Sequence, residues 1–337
     1  MLTAMLRAQP VGSPPLAPED LDGALRSDGL TGRSRPVRVI VAAAGRGTRF
    51  SDVEPKVVAP GRIGVPLVVR VLAALAGLDH RPVVVVNEWT AGPVWRVIDR
   101  ARLTAELVVQ DPALPGMGGA ILTALRQYPD GPADVVTAWA DMGMVWAPHV
   151  WATVAVHQAL GSPMSFPTKL RSAPYVCLLR DERGAPYRFL FARDGDAMPQ
   201  AGESDCGSFV FAADRLRSVL EDAAQSQTGA EIGVLPLVEQ FHSAGDPAYA
   251  VHIAASADSQ GVNTPGELEV ADERYEIGIE QIRVAIDAAR DGHELREGLR
   301  MHGLPPPLTA VARARLTELG LAPESLAAGQ AVQLSTT

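Results

Sequence analysis

Val37-Arg-Val-Ile-Val-Ala-Ala-Ala-Gly-Arg-Gly-Thr-Arg49 begins as a β-branched run and ends in small residues and a glycine pair. A short apolar run bounded by turn residues predicts a strand buried on both faces. Gly45 and Gly47 then allow backbone amides to approach an anion where the next helix starts. Arg46, Arg49 and Lys56 put three cations around that loop, a combination suited to a polyphosphate. It is not the dinucleotide fingerprint, because Phe50 stands where the third glycine belongs, and the Gly-Lys-Ser/Thr of a P-loop is missing.

Outward from this stretch, Val65-Pro-Leu-Val-Val-Arg-Val-Leu-Ala-Ala-Leu75 is apolar at helical spacing. Residues 82–87, 106–110 and 134–139 read as strands, and 119–128 as a helix. The alternation predicts an α/β fold, Rossmann-like, with a mixed, mostly parallel central sheet. After residue 160 the texture shortens. Strands are expected at 163–169, 174–180, 187–192, 207–212 and 248–253, with a hairpin turn at Asp181-Glu-Arg-Gly184. Helices are expected at 213–223, 231–243, within 267–300 and at 309–319. In 267–300, Tyr275, Ile279, Ile282 and Ile286 recur every three to four residues. The proline-rich residues 1–35 read as an irregular arm with one short helix at 18–26. The domain reading is this arm, a domain at 36–270 with halves at about 36–150 and 151–270, and C-terminal helices and tail at 271–337.

A chain of 337 residues with 47% hydrophobic content can bury one large core or two ordinary ones. Its net charge of −9 argues against non-specific nucleic-acid binding, which needs a basic footprint. Cys177 and Cys206 are its only cysteines, which excludes a secreted disulfide framework. No apolar run reaches the length of a membrane span and no signal peptide is recognisable, so a cytoplasmic protein is expected. The seven histidines have no zinc spacing. Only two basic residues are lysines, Lys56 and Lys169, against 28 arginines.

Gly45-x-Gly-Thr-Arg49, Pro55-Lys56 and Gly64-Val-Pro-Leu67 resemble the N-terminal signature of the sugar-phosphate nucleotidyltransferase family. Within it, the chain is most similar to the uridyltransferase domains of bifunctional N-acetylglucosamine-1-phosphate uridyltransferase/acetyltransferases. Gln110 followed by Gly116-Met-Gly-Gly-Ala120 resembles the family's base-binding segment. Trp139-Ala-Asp141 resembles its Tyr-Gly-Asp, and Gly261-Val-Asn263 its Gly-Val-Asn. The resemblance covers about residues 37–270. It implies a GT-A-like fold in which a phosphorylated sugar attacks the α-phosphorus of a nucleoside triphosphate and pyrophosphate leaves. It also implies that Arg49 and Lys56 are catalytic, stabilising phosphate charge. Ala43, Ala44, Gly45, Arg46, Gly47, Thr48, Gln110 and Gly116 would bind the nucleotide. Asp141 and Asn263 would hold Mg²⁺, whose hard-oxygen preference suits a carboxylate and an amide oxygen. Lys169, Tyr175, Arg193, Glu203, Asp205 and Gly207 would line the acceptor side.

The departures carry information about substrate. Phe191 stands where the family has a glutamate, Asp205 where it has an asparagine, and Met117 where it has a threonine. Removing hydrogen-bonding partners discriminates strongly, so N-acetylglucosamine 1-phosphate is not the expected acceptor. The expected partners are a nucleoside triphosphate and a phosphorylated sugar or sugar-like (cyclitol) acceptor. UTP is favoured by the nearest resemblance, with GTP, CTP and dTTP open. No nucleic acid and no membrane are expected, and a homodimer is open. Residues 271–337 show no hexapeptide repeat, so no acetyltransferase activity is expected of them. Two other readings stay open: a cytidylyltransferase acting on a small phosphate or phosphonate, and a catalytically silent nucleotide-binding regulator.

Overall fold

The computed structural model describes residues 36–323 and Leu326, apart from Arg46, Thr48, 51–52, 129–130, Pro132, 227–230 and 254–260. The helix expected at 18–26 lies outside the described residues. In chain order the elements are β1 (Val37–Ala42), α1 (Leu67–Leu75), β2 (Val83–Val86), α2 (Glu88–Arg100), β3 (Glu106–Val109), α3 (Gly116–Gln127) and β4 (Asp134–Trp139). There follow α4 (Ala147–Leu160), β5 (Met164–Ser172), β6 (Val176–Arg180), β7 (Pro186–Phe191), β8 (Ala201–Asp205) and β9 (Ser208–Ala212). The last are α5 (Ala213–Ser226), α6 (Leu237–Ser243), β10 (Tyr249–His252), α7 (Pro265–Ala288), α8 (Gly292–His302) and α9 (Thr309–Glu318). None of the described helices is long and apolar enough to cross a membrane.

The chain divides into two units, each assembled from separate stretches of sequence. A glycine-loop unit takes Arg38–Gln110, Ala138–Ala147 and the described residues from 261 on. Its strand order is β1-β2-β3, all parallel (Ile40 opposite Val83, Val83 opposite Glu106). All four valines of β2 are fully buried, as expected of a parallel strand covered on both faces. The C-terminal helices belong to this unit. Buried Leu268, Ala271, Tyr275, Gly278, Ile282 and Ile286 form the inner stripe of α7. Gly278 rather than Ile279 takes the middle position, where a Cβ would come within 2.2 Å of the Met144 methyl.

The hairpin unit takes Asp111–Thr137 and the described part of Pro148–Ser256. Its strand order is β10-β5-β9-β4, with β8 also on β5. β5 pairs parallel with β10 and antiparallel with β8 and β9. β6 and β7 form a separate antiparallel hairpin at the expected turn, where the Asp181 side chain accepts from the Arg183 and Ala185 amides, both at 2.9 Å.

The structure adds three elements and shortens one. α2 escapes sequence reading because Gly92 and Pro93 stand inside it. The Asn87–Thr90 capping box fixes its start. α4 is buried on every side from Ala147 to His157, so it has no amphipathic stripe to reveal it. β8 is Ala-Gly-Glu-Ser-Asp, a poor strand former, and is a strand only because β5 pairs with it. The helix expected at 231–243 starts at Leu237, after Pro236.

Candidate functional site

β1 delivers the glycine loop. Ala43 is buried and its amide donates to Val85 O at 2.7 Å, continuing the pairing with β2. The Ala44 carbonyl accepts from Asn87 Nδ2 at 2.5 Å, so the residue that caps α2 also fixes the loop entrance. Gly45 is exposed with open space where a side chain would be. Gly47 has φ +62°, and a Cβ there would lie 2.9 Å from Lys56 Cγ, so only glycine closes the loop onto the lysine stem. Arg46 and Thr48 lie outside the described residues.

Lys56 opens a 3-10 turn after Pro55 and is almost wholly buried. Its ammonium lies 2.6 Å from Asp141 Oδ2 and donates to Val262 O at 2.9 Å and to Asn263 Oδ1 at 3.3 Å. Arg49 donates to the same Asn263 oxygen at 3.0 Å. Four residues singled out from the sequence are thus linked within the glycine-loop unit, Asp141 to Asn263 through the Lys56 ammonium and Arg49 through the Asn263 oxygen.

Backbone interactions fix the two oxygen-bearing residues. Asp141 follows β4; its carbonyl accepts from Val262 N at 2.9 Å, and Met142 bridges antiparallel to Gly261. Asn263 precedes the capping box of α7. One oxygen of Glu267 accepts from Asn263 N at 2.6 Å and Thr264 N at 3.0 Å, while Thr264 Oγ1 accepts from Glu267 N at 3.2 Å. Glu267, Asn87 and the Val262 carbonyl are absent from the sequence-based site. Thr264-x-x-Glu267 is the written signal that could have found the first.

Gln110 follows β3 in the glycine-loop unit, its amide donating to Val86 O at 2.7 Å. Gly116 belongs to the hairpin unit, where it opens α3 at φ +84° with Ile232 O 2.8 Å from a would-be Cβ. The Gly116-Met-Gly-Gly run is therefore also a packing device: the Gly118 amide donates to Ile232 O at 2.8 Å.

The residues expected on the acceptor side all lie in the hairpin unit. Lys169 on β5 stands opposite Ser204 on β8 and is fully buried. Glu203 accepts from Arg180 Nε at 2.7 Å and Nη2 at 2.5 Å, accepts from Thr168 Oγ1, and has His252 Nδ1 at 3.6 Å. Burial alone would raise its pKa, but the bonds from Arg180, His252 and Thr168 outweigh that and hold it at about 2. Asp205 accepts from the Gly207 amide at 2.8 Å, and its carboxyl is raised chiefly by burial. Ser204 Oγ donates to Val176 O at 2.5 Å, which brings the β6–β7 hairpin beside β8. That hairpin carries exposed Tyr175 and, after Phe191, Arg193, whose guanidinium lies 5.4 Å over the Phe191 ring. His149 is pushed down to about 4, first by burial and then by Lys169. Burial pushes Cys206 up to about 12, which removes it as a thiolate nucleophile at neutral pH.

Known proteins resemble this chain in sequence and in fold. Bifunctional protein GlmU of Leifsonia xyli subsp. xyli is 27% identical over 239 residues, covering 69% of this chain and 48% of that protein. Bifunctional protein GlmU of Clavibacter sepedonicus is 28% identical over 256 residues, covering 74% of this chain and 51% of that protein. The chain thus spans about half the length of these curated relatives. Among solved structures, the inositol-1-phosphate CTP transferase from T. maritima superposes with a TM-score of 0.54 at 15% identity, covering 73% of this chain and 98% of that one. A candidate glucose-1-phosphate thymidylyltransferase from Bacillus anthracis gives 0.58 at 13%, covering 70% and 94%. These two likenesses show the Rossmann-like nucleotidyltransferase fold. Residues 39–240 match the description MobA-like NTP transferase domain. The chain belongs to the MobA-like NTP transferase domain family.

Proposed function

We propose that the chain transfers a nucleoside monophosphate from a nucleoside triphosphate to a phosphorylated sugar or a sugar-like cyclitol phosphate. A phosphate oxygen of the acceptor bonds to the α-phosphorus, the bond from that phosphorus to the bridging oxygen breaks, and pyrophosphate leaves with the electron pair. The observation that carries the reading is that the Lys56 ammonium joins Asp141 to Asn263, with Arg49 on the same Asn263 oxygen. Such chemistry requires positioning and charge neutralisation rather than a protein nucleophile. Arg49 and Lys56 supply positive charge to the phosphates, and Ala44, Gly45 and Gly47 supply the backbone that borders them.

Asp141 and Asn263 fit Mg²⁺. Both are hard oxygen donors, and both converge on the place now taken by a cation. Bound there, Mg²⁺ would neutralise phosphate charge. The domain at 36–270, with nucleotide and acceptor halves, is part of this proposal. On the acceptor side, Glu203 is saturated by Arg180 and Thr168, which supports a role in holding β5 and β8 rather than in grasping a sugar. Lys169, Tyr175, Arg193, Asp205 and Gly207 stay as proposed acceptor residues. The names of the two structural neighbours combine CTP with inositol 1-phosphate and a thymidylyl group with glucose 1-phosphate. They define the corners of the search.

The test is a matrix of UTP, CTP, GTP and dTTP against hexose 1-phosphates, inositol phosphates and small phosphonates, read by pyrophosphate release with Mg²⁺. Release with one sugar or cyclitol pair, abolished by Asp141→Ala, is expected. Turnover only with CTP and a small phosphonate would favour the cytidylyltransferase reading. Triphosphate binding by calorimetry, unchanged in Asp141→Ala and without turnover, would overturn the enzyme reading in favour of a silent regulator.

A further inference from the structure

The ammonium of Lys56 lies at the point where the oxygens of both proposed metal ligands converge. Its three contacts, Asp141 Oδ2 at 2.6 Å, Val262 O at 2.9 Å and Asn263 Oδ1 at 3.3 Å, match the three protons of an ammonium. Arg49 takes a further position on the Asn263 oxygen. Mg²⁺ binds such oxygens at about 2.0–2.1 Å. It would therefore have to occupy the volume that Lys56 fills, and two cations repel in a place with so little water. We infer that Lys56 is an internal counter-cation. In the resting protein it keeps the Asp141 and Asn263 oxygens closed to a metal ion, and it yields them only when a triphosphate draws its ammonium away. The inference rests on the proposed reading of the metal site and adds an order of binding to it.

Two features make the exchange mechanically reasonable. The Lys56 stem lies directly under Gly47, so an anion settling in the glycine loop arrives beside the side chain that must move. The ligands do not depend on Lys56 for their places. Asp141 is held by the Val262 amide and the Met142–Gly261 bridge, and Asn263 by the Glu267 carboxylate. Glu267 is in this sense a positioning residue: when Lys56 leaves, the backbone that carries both oxygens stays in place.

The experiment is Mn²⁺ binding followed by the electron paramagnetic resonance of free ion, without nucleotide, on the wild type, Lys56→Met, Lys56→Gln and Asp141→Asn. Both Lys56 variants should bind Mn²⁺ at least ten-fold more tightly than the wild type. Asp141→Asn should bind it more weakly than either. Thermal melts of each variant show that the fold is kept, and the glutamine variant covers the case in which methionine is not tolerated. If Mn²⁺ affinity in both folded variants equals that of the wild type, the inference is wrong. A separate arm adds a triphosphate analogue that cannot be cleaved at the α-phosphorus. There, Mn²⁺ binding equal in the wild type and Asp141→Asn overturns the metal-site reading itself, and this inference with it. Binding that differs in this arm while the Lys56 variants stay unchanged overturns the inference alone.

Discussion

Lys56 is one of two lysines in a chain with 28 arginines, and both lysines are buried. An arginine could not replace it quietly. The guanidinium is planar and larger, and the lysine stem is already pressed against Gly47. Lys56→Arg should fold like the wild type and lose about 10²-fold in turnover, the size expected when one charge-stabilising donor is misplaced; pyrophosphate release beside a thermal melt measures both. A second prediction concerns acid stability. His149 stays neutral when folded until about pH 4, against 6.5 when unfolded, so stability present above pH 6.5 is lost as pH falls toward 4. Glu203 adds a further loss from about 4.5 toward about 2, because its folded carboxylate resists protonation. His149→Leu should flatten the upper part of a plot of urea midpoint against pH and leave the lower part. An unchanged upper slope would show that another group titrates there. The identity of Lys56 was legible from its motif, whereas Asn263, 207 positions away, gave no sign by itself of sharing its site.

At the scale of elements, α7 joins the C-terminal region to the glycine-loop unit through a buried ion pair. Arg70 on α1 donates to Asp272 Oδ1 at 2.5 Å and to Val65 O at 2.9 Å, and its guanidinium lies 4.6 Å over the Tyr275 ring. Asp272 Oδ2 accepts from Arg62 N at 2.6 Å, and Gly61, at φ +58°, leaves room for that carboxylate. Removing one partner strands a buried charge. Asp272→Leu alone should cost about 3–5 kcal/mol, while pairing it with Arg70→Met should recover much of that; denaturant unfolding of the four proteins closes the cycle. Thr264→Ala should cost about 1 kcal/mol through the lost cap of α7. The capping signals of α2 and α7 and the turn at Asp181–Gly184 are written locally. The pairing of β8, a polar segment, is not.

In the molecule as a whole, the helices after residue 288 complete the glycine-loop unit. Gly303 leaves the Ala73 carbonyl 2.3 Å from a would-be Cβ, and Gly77 stands likewise 2.0 Å from Arg300 O, so α8 meets α1 backbone against backbone. Leu295, Leu299, Met301, Leu308 and Leu316 are buried there. At roughly 1.5–3 kcal/mol per buried side chain, their loss rivals the whole stability of a typical domain, about 5–15 kcal/mol. A chain ending at Ala289 should therefore begin to unfold at a markedly lower temperature than the full chain, as read by circular dichroism. By itself the sequence determined what neighbours in the chain can encode: the buried parallel strands, the glycine loop and the hairpin turn. The family resemblance implied that Asp141 and Asn263 share a site; only the tertiary structure decided that the Lys56 ammonium bonds both, that Glu203 belongs to Arg180, and that Gly116 packs on Ile232. Periodicity and turn chemistry act over a few residues. Partners far apart in sequence meet only when the sheet closes and the helices pack.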